Sequence, residues 1–140
     1  MTYAVNYFPD QALLEVILAD RITGADLREA TTKCISLQKQ TGVVRFIVDA
    51  DGWEVIASFF DIYDIADKQY LNEGLDKQSR IAVILPTSLS SQAAAGFYET
   101  VCVNRGWNAR VHPDRQSALE WLTDAPGSGD LDSEESVRRT

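Results

Sequence analysis

Two spacings of apolar residues alternate along the first 122 residues of the chain. Runs of β-branched and other apolar residues predict strands, and apolar residues at three- and four-residue steps predict helices. Residues 2–8 and 13–19 alternate loosely on either side of a turn signal at Pro9 and Asp10. These two segments predict an antiparallel hairpin.

The next segment carries the signals of a helix. Thr23 is followed three residues later by Asp26, as in an N-terminal capping arrangement, and Gly42 fits a helix end. The apolar positions between them share one stripe: Leu27, Ala30, Cys34 and Leu37. One face of this helix is therefore expected to pack on a core.

Residues 43–49 and 81–85 are almost continuously apolar, which is typical of central strands covered on both faces. A helix over residues 91–104, a strand over 108–112 and a last helix from Asp114 to Leu122 follow. The predicted order is β-β-α-β-α-β-α-β-α. It indicates an α/β fold with a mixed, mostly parallel five-stranded sheet and helices on both faces.

Composition divides the 140-residue chain into one domain and a tail. Residues 1–124 hold nearly all the large apolar side chains and are expected to form a single α/β domain. Residues 125–140 are rich in Pro, Gly, Ser and acids, so we predict a disordered acidic extension. The net charge is −8, from 21 Asp and Glu against 13 Lys and Arg.

Charge and cysteine usage exclude several classes of function. A chain this acidic is a poor nucleic-acid binder, because phosphate contacts need clustered cations. No run is long and apolar enough to span a membrane, and the start lacks a leader pattern, so we expect a cytoplasmic protein. Cys34 and Cys102 lack metal-ligand or CxxC spacing and are expected to be reduced core residues.

Two carboxylates after the third predicted strand are the most concentrated chemistry in the chain. Asp49 and Asp51, followed by Gly52, form either a cation or phosphoryl site or a structural pair that caps the next helix and fixes a turn. His112 is the sole histidine and lacks a partner in sequence. It is expected to pack on Trp107 or bond to a loop. We expect no catalytic residue, metal or cofactor, and no enzymatic activity.

The stretch over residues 53–66 is unusual because, if helical, it is apolar nearly all round. A helix that crosses over a sheet needs an apolar stripe of only about 100°. The apolar surface beyond this stripe must be covered in one of three ways: by a self-association interface, by serving as a lid over an apolar pocket, or by burial within the subunit. A carrier of an apolar ligand would need a cavity of about 300 Å³ or more.

Several strings resemble the SpoIIAA-like branch of the STAS superfamily. They are residues 22–27 (ITGADL), residues 45–49 (RFIVD) and residues 59–64 (FFDIYD), together with the initial hairpin. These are small bacterial proteins related in fold to anti-sigma-factor antagonists and to CRAL-TRIO lipid-binding domains. The resemblance spans residues 1–123 and implies a STAS-like fold.

The resemblance also bears on function. In the antagonists a serine in an Asp-Ser-Ser-Gly string is phosphorylated, and Asp51 stands at that position in Asp49-Ala50-Asp51-Gly52. A serine kinase cannot modify an aspartate, so the resemblance implies partner docking without the phosphoryl switch.

We therefore expect a regulatory interaction module that associates with itself or another protein. The alternative is a carrier or sensor of a small apolar ligand. Metal-dependent chemistry at the two aspartates is a third hypothesis. The predicted binding residues are Asp49, Asp51, Trp53, Ile56, Phe59, Phe60 and Tyr63.

Overall fold

One five-stranded sheet organises the protein, whose computed structural model describes residues 3–124. The strands lie in the order β1-β2-β3-β4-β5, with β1 antiparallel to β2 and all other neighbours parallel. The strands are β1 (Tyr3–Phe8), β2 (Leu13–Ile22), β3 (Arg45–Val55), β4 (Arg80–Ile84) and β5 (Asn108–His112). The predicted mixed, mostly parallel α/β sheet is confirmed.

The helices begin with a short 3₁₀ turn, Pro9–Gln11, inside the hairpin. The others are α1 (Gly24–Thr41), α2 (Phe59–Asp64), a π-helical turn (Ile65–Gln69), α3 (Tyr70–Glu73), α4 (Leu89–Asn104) and α5 (Arg115–Thr123). Helical backbone angles continue through the junctions of α2, the π turn and α3. We call this continuous element, residues 59–73, the cover helix.

Strand order decides which face each helix occupies. Because consecutive parallel strands are neighbours, right-handed crossovers place α1, the cover helix and α4 on the same face. Their buried residues join the main core with alternate residues of the strands. α5 follows the last strand and is the one helix among residues 3–124 on the opposite face, where Ala118 and Leu122 meet Ile47, Ala82 and Ile84.

The first helix forms as its sequence predicts. The Thr23 hydroxyl accepts from the Asp26 amide and the Asp26 carboxylate accepts from the Thr23 amide, both at 3.1 Å. Gly42 ends the helix at φ +75°, in the left-handed region that favours glycine. Cys34 is buried on its inner side as a free thiol, as Cys102 is on α4.

The third strand is longer than predicted, and this corrects the expectation that a helix starts at Trp53. Backbone pairing with β2 continues through Asp20–Trp53, Arg21–Glu54 and Ile22–Val55. A β-bulge interrupts the register, because two steps on β2 (Ile17 to Ala19) face three on β3 (Asp49 to Gly52). Trp53 is therefore a strand residue, and its side chain is buried.

The cover helix instead begins after Ser58. The Ser58 hydroxyl accepts from the Asp61 amide at 3.1 Å, and the Asp61 carboxylate accepts from the Ser58 amide at 3.2 Å. This reciprocal cap satisfies backbone donors that the first helical turn leaves free. The predicted tail over residues 125–140 lies outside the described residues.

His112 ends β5 on the face covered by α5. Its ring lies 5.3 Å from the ring of Trp121, rather than on Trp107 as expected from the sequence. Burial, together with the nearby charge of Arg110, lowers the pKa of His112 to about 4. The ring is therefore neutral at pH 7.

We predict that His112 makes the fold less stable in mild acid. Between pH 6.5 and pH 4, His112 is protonated in the unfolded chain, where its pKa is the ordinary 6.5, but stays neutral in the folded protein. Going from pH 7 to pH 5 should reduce the free energy of unfolding by about 2 kcal/mol through this group. The measurement is urea unfolding of the wild type and of His112→Phe at both pH values. Equal losses in the two proteins would contradict the prediction.

Candidate functional site

Asp49, the first of the two predicted aspartates, lies on the other face of the sheet from the predicted apolar contact residues. Asp49 lies two residues after Ile47, which packs under α5. Because side chains alternate along a strand, the side chains of Ile47 and Asp49 both lie on the sheet face opposite the cover helix. The Asp49 carboxylate accepts from the Asp51 amide at 3.2 Å, within the bulge. The Asp49 carboxylate therefore bonds to the backbone of its own strand, and the next helix is capped by Ser58 instead.

The described residues do not add further metal-ligating side chains to the two aspartates. Among residues 3–124, no group of three or more His, Cys, Asp or Glu side chains is placed to hold a metal ion. The Thr87 hydroxyl donates to the Asp51 carbonyl at 3.2 Å, which ties the bulge to the loop after β4.

Three apolar residues after β3 stand out from the surface. Ile56, Phe59 and Phe60 are 43%, 47% and 69% exposed although they lie within five consecutive positions. We call them the apolar patch. Tyr63, predicted with them, is half-buried and accepts a hydrogen bond from Arg105 at 2.7 Å. Trp53, also predicted at this surface, lies in the core at 7% exposure.

The apolar patch is held in place from two sides. The ring of Phe59 stacks on Phe97 of α4, with ring centres 4.8 Å apart. Asp61, which caps the helix, also accepts from the Arg28 guanidinium of α1 at 2.9 Å. This hydrogen bond holds the pKa of the Asp61 carboxyl below its usual value. The patch is thus presented on a capped and braced helix start.

Sequence reasoning did not name two apolar residues of α4 as contact residues. Phe97 is half-buried against Phe59, and Leu89, at the start of α4, is 82% exposed. They are eight residues apart on α4 and so share one stripe of that helix. A search for apolar residues at i, i+4 and i+8 outside the core stripe would have found Leu89, Ala93 and Phe97.

Beneath the cover helix lies an apolar cavity of about 110 Å³. The sheet forms its floor, and α1, the cover helix and α4 form its walls. Ile62 and Ile65 line it from the cover helix, Leu27 from α1 and Val16 from the sheet. The apolar stretch that the sequence predicted over residues 53–66 thus covers the cavity on one side and carries the apolar patch on the other.

A few polar groups stand in this apolar lining. The hydroxyls of Tyr70 and Tyr98 lie 2.5 Å apart, and burial raises the pKa of both well above the usual value for tyrosine. Burial also raises the pKa of the Cys34 thiol to about 12, so this cysteine is protonated and unreactive at pH 7. Trp53 and Thr31 complete the polar members of the wall.

Polar bonds fasten the cover helix to α1. The buried amide of Gln69 donates to the Arg28 carbonyl at 3.0 Å, and the Thr32 hydroxyl donates to the Glu73 carboxylate at 3.0 Å. Gln69 lies in the π-helical turn, a feature often found at functional sites.

Other bonds fasten the opposite side of the cover helix to the turn after α4. The Arg105 guanidinium donates to the Asp67 carboxylate at 2.6 Å, and the Trp107 indole N–H donates to the Ala66 carbonyl at 3.1 Å. The helix over the cavity is therefore bonded along both of its flanks.

Comparison with solved structures identifies the fold. One matching chain is an uncharacterized protein of the DUF3478 family from Shewanella loihica PV-4, whose 2.25 Å crystal structure is described as having a SpoIIAA-like fold. The alignment covers 86% of this chain and 93% of that one, with a TM-score of 0.55 and 18% identity. This chain has a SpoIIAA-like fold.

The SpoIIAA-like resemblance expected from the sequence is thereby confirmed for the fold. At 18% identity the likeness assigns no residue a role. No family model matches the chain, and no curated protein matches it. None of the helices in residues 3–124 is long and apolar enough to cross a membrane.

The start of α1 and the cap of the cover helix are packed so closely that a side chain at Gly24 would force the Asp61 carboxylate to move. A Cβ atom at Gly24 would overlap the Asp61 carboxylate, which is already bonded to Ser58 and Arg28. We predict that Gly24→Ala lowers the free energy of unfolding by about 1–3 kcal/mol. Urea unfolding followed by circular dichroism measures the change.

Gly96 is the matched control, because it lies in the middle of α4 with open space where its Cβ would be. Gly96→Ala should stabilise the fold by about 0.5–1 kcal/mol, since alanine is the better helix former. The same sign for both substitutions would contradict the packing described for Gly24.

Proposed function

We propose that this SpoIIAA-like protein is a non-enzymatic cytoplasmic interaction module that pairs with a second copy of itself through the apolar patch. The observation that carries the proposal is the exposure of Ile56, Phe59 and Phe60 within five positions. Soluble monomers rarely leave large apolar side chains clustered in this way. Burying a Phe side chain in an interface contributes about 1.5–3 kcal/mol.

Rigidity supports this role. The reciprocal cap between Ser58 and Asp61 and the stack of Phe59 on Phe97 fix the patch before any partner arrives. A preformed surface loses little conformational entropy on binding, so more of the burial energy appears as affinity.

Charge argues against an anionic partner, and since a second copy carries the same net charge, pairing of two copies depends on apolar contact rather than on charge. With a net charge of −8, the chain repels nucleic acids and anionic lipid surfaces at long range. In a two-fold dimer the same patch meets itself, so apolar side chains face apolar side chains. The nearby charge of Asp61 is paired with Arg28, and this ion pair can stay intact when the patch is buried.

We predict a dimer at tens of micromolar protein that Phe60→Ser weakens. Loss of the most exposed ring of the patch should raise the dissociation constant about tenfold or more. Light scattering across a concentration series gives the constant for each protein.

Leu71→Ser is the matched control, because Leu71 is 65% exposed on the same cover helix but lies at the other end. It should leave the dissociation constant unchanged. A wild type that stays monomeric at these concentrations, or equal effects of the two substitutions, would refute pairing through the apolar patch.

The cavity favours a second candidate function, the binding of a small apolar molecule. Its volume of about 110 Å³ falls below the 300 Å³ expected for a carrier, so a lipid chain does not fit. An engineered apolar cavity of about 150 Å³ stays dry and takes up benzene or xenon. The occupant proposed here is of that size class.

We predict that xenon enters this cavity and that its size controls the uptake. Cys34 lines the wall, so Cys34→Leu should fill part of the void and reduce xenon affinity, whereas Cys34→Ala should enlarge the void and preserve binding. Xenon-129 NMR measures binding, and circular dichroism confirms folding of both variants. Equal xenon affinity in the two variants would exclude this cavity as the site.

A further inference from the structure

Three arginines lie close together on the sheet face that α5 covers. Arg45 and Arg80 are direct partners at the starts of β3 and β4, and Arg110 lies on β5, two positions further along than the partner of Arg80. Each stands two residues before a strand residue that faces α5, namely Ile47, Ala82 or His112. Because side chains alternate along a strand, the three arginine side chains share that face. We call Arg45, Arg80 and Arg110 the arginine cluster.

The arginine cluster concentrates positive charge in a chain whose net charge is −8. Like charges directly opposite each other on neighbouring strands destabilise a sheet. Within residues 3–124, neither Arg45 nor Arg110 forms an ion pair with an acid. Burial is the main cause of the low pKa of His112, and the charges of Arg110 and Arg80 lower it further against the opposing effect of Asp114. The positive field of the cluster therefore reaches the residues under α5.

The end of α5 lies beside this cluster. The Arg80 guanidinium donates to the backbone carbonyl of Asp124 at 2.8 Å, and its Cζ lies 4.5 Å from the centre of the Trp121 ring. Residues 130–135 (DLDSEE), which we call the acidic segment, contain four acids and begin six positions after Asp124. Six extended residues span about 20 Å, and the three strands of the cluster lie about 5 Å apart, so these acids can reach all three arginines.

We propose that the arginine cluster binds the acidic segment of its own chain, with the guanidinium groups of Arg45 and Arg110 paired to carboxylates of that segment. Guanidinium groups hold carboxylates through charge-assisted hydrogen bonds. A separate anionic partner is repelled by the net charge of the chain, whereas a linked segment acts at a high effective concentration. The site lies on the face opposite the cover helix, so it does not depend on pairing through the apolar patch.

The native cysteines allow a selective probe of this contact. Cys34 and Cys102 are buried, and burial raises the pKa of each thiol to about 12, so neither reacts readily at pH 7. Ser133→Cys therefore places a nitroxide label within the acidic segment of the full chain. Nitrogen-15 NMR then measures the paramagnetic relaxation of each backbone amide proton. We expect strong relaxation at the three arginines of the cluster.

Neutralising two arginines tests whether charge holds the segment. In the nitroxide-labelled protein, Arg45→Gln combined with Arg110→Gln should reduce the paramagnetic relaxation at the cluster about twofold or more, because two ion pairs are lost. Arg80 is kept, since it also holds the end of α5. Raising the salt concentration to about 0.5 M should have the same effect on the labelled parent, because salt screens exposed charges.

Arg21→Gln combined with Lys68→Gln is the matched control, because it removes the same amount of charge from exposed positions elsewhere. Arg21 lies near the far end of β2, and Lys68 lies on the cover helix. This variant should keep the paramagnetic relaxation at the cluster unchanged. Equal relaxation in the labelled parent and in the Arg45→Gln and Arg110→Gln variant would overturn the inference, as would equal losses in the two double variants.

A mixed sample distinguishes contact within a chain from contact between copies. It combines nitrogen-15-labelled protein that lacks the nitroxide with unlabelled protein that carries it. We expect little paramagnetic relaxation at the cluster in this sample. Relaxation as strong as that within one chain would overturn the inference, because the segment would then bind to a second copy. Neither result bears on pairing through the apolar patch, which is tested separately with Phe60→Ser.

Discussion

Backbone pairing between residues 20–22 and residues 53–55 governs the rest of this structure. By extending β2 and β3 past the end of β4, it draws Trp53 into the core and delays the start of the cover helix until Phe59. The β-bulge between Asp49 and Gly52 makes this possible, because the extra residue changes the face on which the following side chains lie. Cavity, cover helix and apolar patch all follow from it.

The cover helix carries more apolar surface than its place on the sheet can bury, and the surplus appears on both sides. Inside, Ile62 and Ile65 leave a void of about 110 Å³, which costs about 2–3 kcal/mol relative to a filled core. Outside, Phe59 and Phe60 remain exposed. The ion pairs at the flanks are partly exposed and contribute little each, so they set the position of the helix more than its stability.

Local signals predicted the parts of the fold that depend on few neighbours. The Thr23 and Asp26 cap, the Gly42 end and the two buried cysteines were all found from spacing and residue type. The exposure of Ile56, Phe59 and Phe60 agrees with the apolar excess seen in the sequence, although the same reasoning wrongly added Trp53 to that surface. His112 was correctly expected to pack at its strand end, but against the wrong tryptophan.

The sequence by itself determined the order of strands and helices, the SpoIIAA-like resemblance and the presence of more apolar surface than one crossover helix needs. Only the tertiary structure decided where β3 ends, because a short, mostly apolar segment such as residues 53–56 suits a strand or a helix equally until a partner strand is available. It also decided the cavity and the burial of the Trp53 indole N–H, which has no hydrogen-bond partner within residues 3–124. Both depend on how α1, the cover helix and α4 meet over the sheet, and no single segment contains that information.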